Sequence, residues 1–330
     1  MIEVLSASAL ATVQDLGRLG ALRWGVGTSG AMDPLALAAG NLLLGNEAGA
    51  AAIEVPVFPF QVRFTDGGAF ALTGADCAAR LDDVPLLPWW VGEARAGQVL
   101  TLALPRAGAW RASRAYLCLP GGVDVPAVLG SRSTQLRGDF GGHEGRTLRQ
   151  GDVLRAGAAE SSSMPVGGFG LVPPALALPL QVDGVPAMRV LPAAEYMHYT
   201  ETSRAAFWAG EWKITSQSDR YGYRLAGTKL EASTSVEMRS HGIVPGVIQV
   251  PPGGQPIVQM RDAQPSGGYP KLGTVIEADL WRLGQAPIGS RVRFIETTWD
   301  EAVAALDQMQ AWLANVQRLV GLYRRQQARS

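Results

Sequence analysis

The feature of this sequence that most constrains its fold is the number of turn-forming residues spread along it. The 330 residues include 40 glycines and 21 prolines. Both residue types interrupt helices and central strands, and both are favoured in tight turns. The sequence therefore predicts a mainly β protein, built from many short strands with only a few helices.

Two internal helices are predicted against this background. The segment MDPLALAAGNLLLGN has Asp33 as an N-cap, Pro34 at the first helical position and Gly45 as a stop. In LGTVIEADLWRLGQ, apolar residues from Val275 to Leu283 recur at helical spacing.

The C-terminal segment is predicted as a long amphipathic helix. Thr298 and Glu301 form a capping-box pair at its start, and Arg324 lies in a basic end that we interpret as a solvated tail. The apolar side chains between them form one stripe, so we expect this face to pack on the protein's own core or on a partner. The stripe consists of Val303, Leu306, Met309, Leu313, Val316, Val320 and Tyr323.

One stretch of the N-terminal half has the pattern of a β-hairpin. In QVRFTDGGAFALTGA, Val62 and Phe64 lie on the first predicted strand, and Phe70 and Leu72 lie on the second. The intervening Thr-Asp-Gly-Gly is typical of a tight turn.

The clearest change in composition is a segment rich in Ser, Gly and Pro, GAAESSSMPVGGFGLVPPALALP. Such a composition is typical of a linker between domains. We therefore predict an N-terminal β-barrel domain over residues 1–156 and a linker over 157–180. A C-terminal β-barrel domain that includes the C-terminal helix is predicted over 181–330.

Charge and composition exclude several classes of partner. The formal net charge is +0 at pH 7, which argues against binding to nucleic acid or an anionic membrane surface. No signal peptide and no apolar run of about 18 residues is recognised, so we predict no membrane span. The two cysteines, Cys77 and Cys118, are isolated, which favours a reducing, cytoplasmic location.

Several common catalytic motifs are absent from the sequence. It contains no GxxxxGK[ST] phosphate-binding loop, no GxGxxG that leads from a predicted strand into a helix, no HExxH and no GxSxG. The three histidines, His143, His198 and His241, are far apart, and no metal site is predicted. None of the three lysines lies in a Met-Lys-Met context, so this chain is not expected to carry biotin itself.

Polar residues gather instead at predicted turns. The richest group lies in IQVPPGGQPIVQMRDAQPSGGYPK, which runs from Ile248 to Lys271. Hydrogen-bonding side chains in a stretch otherwise built for burial indicate the wall of a cleft. A smaller group lies in TVQDLGRLG, with Asp15 and Arg18.

These clusters resemble a known family. TVQDLGR, GTSGAMDPLALAAGNLLLGN, LTGAD, LPGGVDVPAVLGSRST, SDRYGYRL and SHGIVPGVIQVPPGGQPIVQMRDAQPSGGYPKLGTVIEADLWRLGQ are similar, in this order, to the biotin-dependent carboxyltransferase-like family called allophanate hydrolase subunit 2. Within the family, the resemblance is to the C-subunit group of 5-oxoprolinases. It covers nearly the whole chain, from about Leu5 to Ala302.

The resemblance implies two linked β-barrel domains of cyclophilin-like type. It also implies two partners, the A and B subunits of 5-oxoprolinase, the second of which is similar to allophanate hydrolase subunit 1. Together they would use ATP and water to open 5-oxo-L-proline to L-glutamate, with release of ADP and phosphate. ATP would be bound by the complex, since this chain has no phosphate-binding loop.

A lactam that carries a carboxylate requires a cation, an acceptor for the ring N–H and donors for the carbonyl oxygen. We consider Asp262 as the acceptor for the ring N–H or as a base, and His241 as a proton carrier. Lys271 or Arg220 would supply the cation. Each has a purely structural alternative, such as an ion pair or a turn cap. The predicted substrate-binding residues are Arg220, Gln249, Gln255, Gln264, Tyr269, Asp15 and Arg18.

The sequence departs from the family pattern at two places. The family's Asp-x-Gln-Thr-Thr-Gly-Gly-Tyr is DAQPSGGY here, with Pro265 and Ser266. Proline lacks a backbone N–H, so if that N–H or the first Thr hydroxyl of the family pattern contacts the ligand, this change is expected to alter the substrate or the rate. The family's Leu-Pro-Gly-Pro is LPAAEY here, with Ala193 and Ala194, which we expect to alter only a turn.

Two other functions fit the same resemblance. The chain would then be a carboxyltransferase component of a urea-carboxylase or allophanate-type system with a separate biotin carrier. It would otherwise be a regulatory protein that antagonises a kinase inhibitor. An activity that depends on biotin and bicarbonate would distinguish the carboxyltransferase from the 5-oxoprolinase interpretation. A function that is unchanged by mutation of Asp262 or Lys271 would distinguish the regulatory protein.

Overall fold

A computed structural model describes residues 1–106, 112–159, 167–233 and 238–327 of the chain. The predicted mainly β character with a few helices is confirmed in these ranges. The helices are α1 (Pro34–Leu44), α2 (Pro174–Ala177), α3 (Glu201–Ala209), α4 (Glu277–Gln285) and α5 (Trp299–Gln327). None of them combines the length and the apolar composition needed to cross a bilayer.

The strands are short, as the density of Gly and Pro predicts. Those of the first half are β1 (Ile2–Ala7), β2 (Thr12–Gln14), β3 (Ala52–Val55), β4 (Phe60–Phe64), β5 (Gly68–Gly74), β6 (Arg80–Leu81), β7 (Val84–Pro85), β8 (Trp90–Ala94), β9 (Val99–Leu102), β10 (Ala115–Cys118), β11 (Val153–Leu154) and β12 (Phe169–Gly170). Those of the second half are β13 (Gln181–Val182), β14 (Val185–Pro192), β15 (Trp212–Ile214), β16 (Gly222–Ala226), β17 (His241–Gly242), β18 (Val247–Gln249), β19 (Ile257–Gln259), β20 (Ser266–Gly267), β21 (Lys271–Val275) and β22 (Arg291–Glu296).

The chain divides into two compact units. The first unit contains residues 1–18 and 29–177 together with the part of α5 from Gln310, and the second contains residues 19–28 and 178–309. These bounds differ from the predicted domains of 1–156 and 181–330. Part of the predicted linker is structured, because β12 pairs with β8 of the first unit. The end of α5 also belongs to the first unit, since Val316 and Val320 are buried in its core.

The first unit contains two six-stranded sheets. Their strand orders are β11-β1-β4-β9-β6-β7 and β12-β8-β5-β10-β3-β2. Side chains from both sheets share one core, to which Val62 and Leu100 contribute from one sheet and Leu72 and Leu117 from the other. The alternate residues of the second sheet pack against α1 on its opposite face, as strand geometry requires.

The hairpin predicted over residues 61–75 is wrong. β4 pairs with β1 and β9, whereas β5 pairs with β8 and β10 in the other sheet. The turn at Gly67 and Gly68, both with positive φ, therefore carries the chain from one sheet to the other. Both strands still turn their aromatic residues toward the shared core, where the rings of Phe64 and Phe70 lie 5.2 Å apart. The alternation of apolar residues along β4 and β5 is therefore explained by burial in a common core and not by pairing between the two strands.

The second unit is a closed barrel. Its seven strands follow the order β14-β21-β18-β19-β16-β15-β22, and a parallel pairing of β14 with β22 joins the two ends. Closure leaves no free sheet edge in this ring. Met188, Ile248 and Phe294 are among the buried side chains, and Phe207 of α3 stacks on Phe294 at 5.0 Å.

The internal helices begin and end for the reasons predicted, with one shift. Asp33 caps α1 by accepting a hydrogen bond from the backbone N–H of Ala36, and Gly45 ends it in the left-handed conformation. The second helix starts later than predicted, because Val275 completes β21 and α4 begins at Glu277. A buried carboxylate anchors α4, since Asp279 accepts from the backbone N–H and the guanidinium of Arg189.

The start of α5 is confirmed, and its end differs from the prediction. Thr298 and Glu301 exchange the reciprocal hydrogen bonds of a capping box. Val303, however, is 43% exposed and lies off the buried face. Arg324 is not a solvated tail residue, because its guanidinium donates to the carbonyl of Leu43 at the end of α1. Burial lowers the pKa of Arg324 from its usual value.

The cap of α1 provides a test of this part of the fold. Replacing Asp33 by Ala removes the acceptor for the N–H of Ala36 in a site that is 1% exposed. We expect the free energy of unfolding to fall by about 2 kcal/mol, as measured by urea denaturation. Asp33→Asn keeps an acceptor oxygen and should lose less; equal losses in the two variants would contradict a capping role.

Candidate functional site

The polar block from Ile248 to Lys271 lines one part of the barrel wall. β18 runs antiparallel to both β19 and β21, and its register places Gln249 opposite Lys271. The adjacent pairing of β14 with β21 sets Pro192 opposite Gly273, and the backbone N–H of Ala193 continues this ladder to Leu272. The loop that follows β14 therefore lies next to the start of β21, where Lys271 is located.

A group of charged side chains meets at this point, and we call Glu195, His241 and Lys271 the Glu195 cluster. The carboxylate Oε1 of Glu195 lies 4.0 Å from Nζ of Lys271 and 3.9 Å from Nε2 of His241. The other ring nitrogen of His241, Nδ1, is 3.1 Å from the carbonyl oxygen of Arg239. The side chains of Glu195 and Lys271 are only 14% and 9% exposed, whereas His241 is 44% exposed.

Two amide side chains extend the cluster along the wall. Gln259 donates to Oε1 of Gln249 at 3.1 Å, and Gln249 donates to the carbonyl of Tyr269 at 3.5 Å. Lys271 donates to the same carbonyl, also at 3.5 Å. Gln249 is accommodated because residue 267 is glycine, where an added Cβ would lie 2.4 Å from its Nε2. The amides are thereby held in fixed orientations beside the lysine.

Burial and charge act in opposite directions on Lys271. Partial burial lowers the pKa of its amine, since the charged form loses hydration, and the negative charge of Glu195 counters this effect. The neighbouring Tyr199 hydroxyl is buried, and both its burial and Glu195 raise its pKa. That hydroxyl donates to the carbonyl of Pro270 at 3.2 Å. Glu195 is therefore the charge that influences both groups.

Asp262 and Arg220, predicted in different roles, form an ion pair with each other. The guanidinium of Arg220 donates from Nε and from its second terminal nitrogen to the two carboxylate oxygens, at 2.9 and 3.0 Å. Both residues are buried, and the backbone N–H of Asp262 also donates to the carbonyl of Arg220. This geometry favours a structural role for the pair over a free base and a free cation. Asp219, next in sequence, caps a turn by accepting from the N–H groups of Tyr221 and Gly222.

The remaining predicted residues of the block lie in different settings. The amide of Gln255 exchanges two hydrogen bonds with the backbone of Gly227, which is a structural role. Gln264 is exposed, and Tyr269 is 48% exposed beside the cluster. The carbonyl of Pro265 accepts a hydrogen bond from the backbone N–H of Ile243.

Asp15 and Arg18 belong to the first unit and hold one of its loops. The carboxylate of Asp15 accepts from the hydroxyls of Ser131 and Ser133 and from the backbone N–H of Arg132, at 2.5–2.6 Å. Arg18 is fully buried, donates to the carbonyls of Val128 and Ser133, and lies over the Phe140 ring. The geometry favours the structural alternative for both residues.

The first unit also contains an open pocket of about 430 Å³, between residues 124–128, 139–145 and 153–155. Its histidine is already engaged, since Nε2 of His143 lies 3.4 Å from Asp152. Arg146 donates to both Asp152 and Glu144, and its hydrogen bonds lower the pKa of Asp152 to about 2. In the described part of the chain, no group of three or more His, Cys, Asp or Glu side chains is arranged to hold a metal ion.

Sequence reasoning missed Glu195 and did not include Gln259, a residue of the polar block, among the predicted substrate-binding residues. Glu195 lies in LPAAEY, a segment expected to alter only a turn, about 50 residues before the polar block. The signal that identifies it is three-dimensional, namely the register of β14 against β21. Gln259 stands within the block, and alternation along β19 places it on the same side of the sheet as its partner Gln249.

Comparison with known proteins gives a consistent result. Residues 24–296 match the family described as carboxyltransferase domain, subdomain A and B. The chain therefore belongs to this carboxyltransferase-domain family. The predicted fold class, mainly β in two linked cyclophilin-like units, is also confirmed.

Within this family, the chain is similar to 5-oxoprolinase C subunits and to urea carboxylase. The chain is 43% identical to the 5-oxoprolinase C subunit of Escherichia coli, over 94% of this chain and 96% of that protein. It is 41% identical to the 5-oxoprolinase C subunit of Haemophilus influenzae, over 97% and 99%. Among solved structures it resembles urea carboxylase of Kluyveromyces lactis, with a TM-score of 0.85, 27% identity and coverage of 96% of this chain and 29% of that one.

The pairing of Arg220 with Asp262 makes a testable prediction. Asp262→Ala leaves a buried guanidinium without its carboxylate, so we expect the free energy of unfolding to fall by about 3–5 kcal/mol, measured by chemical denaturation. The double variant Arg220→Met/Asp262→Leu removes both charges and should be more stable than Asp262→Ala. An unchanged unfolding midpoint in Asp262→Ala would instead indicate a carboxylate that is free for chemistry.

Proposed function

We propose that this chain is the C subunit of an ATP-dependent 5-oxoprolinase, and that the Glu195 cluster with its two glutamines forms part of the substrate site. The observation that carries this proposal is the cluster itself, in which a cation beside a carboxylate, a histidine and fixed amides converge on one wall. Identity above 40% to two 5-oxoprolinase C subunits over nearly the full length supports the same reaction.

The cluster suits a lactam that bears a carboxylate. The ammonium of Lys271 is the cation for the carboxylate, and its low exposure strengthens that interaction. Gln249 offers an amide that is held in place by Gln259 and can accept from or donate to the ring. His241, more exposed than its neighbours, is the group suited to move a proton at the site's entrance.

ATP enters the reaction as the activator of a poor electrophile. Transfer of its γ-phosphoryl group to the lactam carbonyl oxygen makes the carbonyl carbon open to attack by water. The C–N bond then breaks to leave the amine and an acyl phosphate, and a second water hydrolyses the acyl phosphate and releases phosphate. The products are glutamate, ADP and phosphate. Because this chain has no phosphate-binding loop, we assign ATP binding to the complex that it forms with the A and B subunits. We propose that this complex is located in the cytoplasm and that the chain is active only within it.

A second candidate is a carboxyltransferase that works with a separate biotin carrier. The observation that favours it is the structural similarity to urea carboxylase at a TM-score of 0.85. A neutral amide such as urea needs no cation, and the buried lysine therefore favours the carboxylate-bearing lactam. Dependence on biotin and bicarbonate would distinguish this candidate.

The deciding experiment co-expresses this chain with neighbouring gene products that resemble the A and B subunits. ATP hydrolysis is then measured with and without 5-oxoproline, with each protein omitted in turn. Hydrolysis that requires both 5-oxoproline and this chain supports the proposal. The second candidate would replace the proposal if ATP hydrolysis does not depend on 5-oxoproline and urea is carboxylated in the presence of a biotin carrier and bicarbonate.

Substitution of the lysine makes the proposal specific. In the reconstituted complex, Lys271→Met should lower kcat/KM for 5-oxoproline by about 100-fold, because a buried cation that binds the carboxylate is lost. Lys271→Arg keeps the charge and should retain more activity. Lys213→Met, at an exposed lysine of β15, is the matched control and should behave as wild type. Equal activity of the Lys271→Met and Lys213→Met variants would remove Lys271 from the site.

A further inference from the structure

Glu195 occupies a position that its sequence context does not explain. It follows β14 and precedes a short 3-10 helix, Tyr196–His198, but its side chain does not cap that helix. Instead its carboxylate lies at 4.0 Å from the ammonium of Lys271 and at 3.9 Å from the ring of His241. With a side chain only 14% exposed, it is a largely buried carboxylate directed at two functional groups.

The groups around Glu195 come from separate elements. Lys271 begins β21 and His241 begins β17, while Tyr199 follows the 3-10 helix. Among the described residues, these are the titratable groups that face the carboxylate. The hydroxyl of Tyr199 is directed at a backbone carbonyl, so the two nitrogen bases remain as the direct partners of Glu195.

The charge of Lys271 depends on this carboxylate. Burial of the amine favours the neutral form, and Glu195 is the one charge in the described residues that favours the ammonium form. A neutral amine attracts a carboxylate only weakly, whereas an ammonium in a site of low water content attracts it strongly. The capacity of this wall to bind an anion is therefore set by a residue outside the polar block.

We propose that Glu195 is a positioning residue: its carboxylate holds the side chain of Lys271 charged and oriented, and thereby directs the site toward substrates that carry a carboxylate. This inference rests on the proposed role of Lys271 in substrate binding. Glu195 itself does not touch the substrate, and its effect passes through Lys271.

The coupling is measured first without any substrate. The chain has only three lysines, Lys213, Lys229 and Lys271, so protein made with 13Cε-labelled lysine gives a resolved NMR titration of each amine, assigned with Lys→Arg variants. In Glu195→Gln, we expect the titration midpoint of Lys271 to move to lower pH, with Lys213 and Lys229 unchanged. Glu195→Asp keeps the charge and should show a smaller shift, which retains a test if the glutamine variant does not fold.

A second glutamate provides the matched control. Glu231 lies 3.4 Å from Lys229, but both side chains are more than 60% exposed. Because solvent screens such a pair, Glu231→Gln should leave the Lys229 midpoint almost unchanged. A Lys271 midpoint that stays in place or rises in the folded Glu195→Gln variant would overturn the inference.

The functional consequence is read in the reconstituted complex. With 5-oxoproline, Glu195→Gln should move the alkaline limb of the kcat/KM profile to lower pH and raise KM above that limb more than it lowers kcat. A wild-type complex that responds to 5-oxoproline with an unchanged limb in the variant overturns the positioning role alone. A wild-type complex with no response to 5-oxoproline overturns the proposed function, while the NMR shift still decides whether Glu195 sets the charge of Lys271.

Discussion

The arrangement of the candidate site depends on one strand, β14, which pairs on both sides within the barrel. Its parallel ladder with β22 closes the ring, and its antiparallel ladder with β21 sets the register. That register places Glu195 next to Lys271, although the two are far apart in sequence. A shift of one residue would turn every side chain of the strand to the opposite face. The backbone hydrogen bonds of β14 therefore both close the barrel and set the position of Glu195 beside Lys271.

Charged residues in the second unit have two distinct uses. Asp262 and Asp279 are bound by guanidinium groups in bidentate geometry and are almost inaccessible to water. Such pairs fix loops and helices and have little freedom to react. Glu195, Lys271 and His241 are joined by longer contacts and are partly exposed. Contacts of this length leave Lys271 able to bind a ligand while Glu195 stays beside it, and this contrast separates the candidate site from its support.

Local signals in the sequence predict the helices well. The caps of α1 and α5 involve residues three or four apart, so the sequence contains all the information needed to identify them. The polar block was also recognised, because its glutamines and charges are close in sequence. The hairpin prediction failed because alternation reports only that a face is buried. It does not report which strand is the neighbour, and β4 and β5 share a core without sharing a ladder.

The roles within the block required the tertiary structure. Arg220 and Asp262 look like a cation and a base when read separately, and only their 2.9 Å contact shows that they satisfy each other. Glu195 was missed because a single glutamate in a turn carries no periodicity and no motif. Electrostatic partners that are distant in sequence are set by strand register, which depends on the whole barrel.

The division of α5 between the units bears on how the chain folds during synthesis. Val316 and Val320 complete the core around α1, yet they are translated after the whole of the second unit. The apolar surface of α1 that contacts Val316 and Val320 therefore stays exposed while the first unit emerges from the ribosome. It is buried only after α5 has been synthesised. Contacts of such long range slow folding and prolong the exposure of apolar surface. A protein of this design is expected to depend on chaperones more than its short strands alone would require.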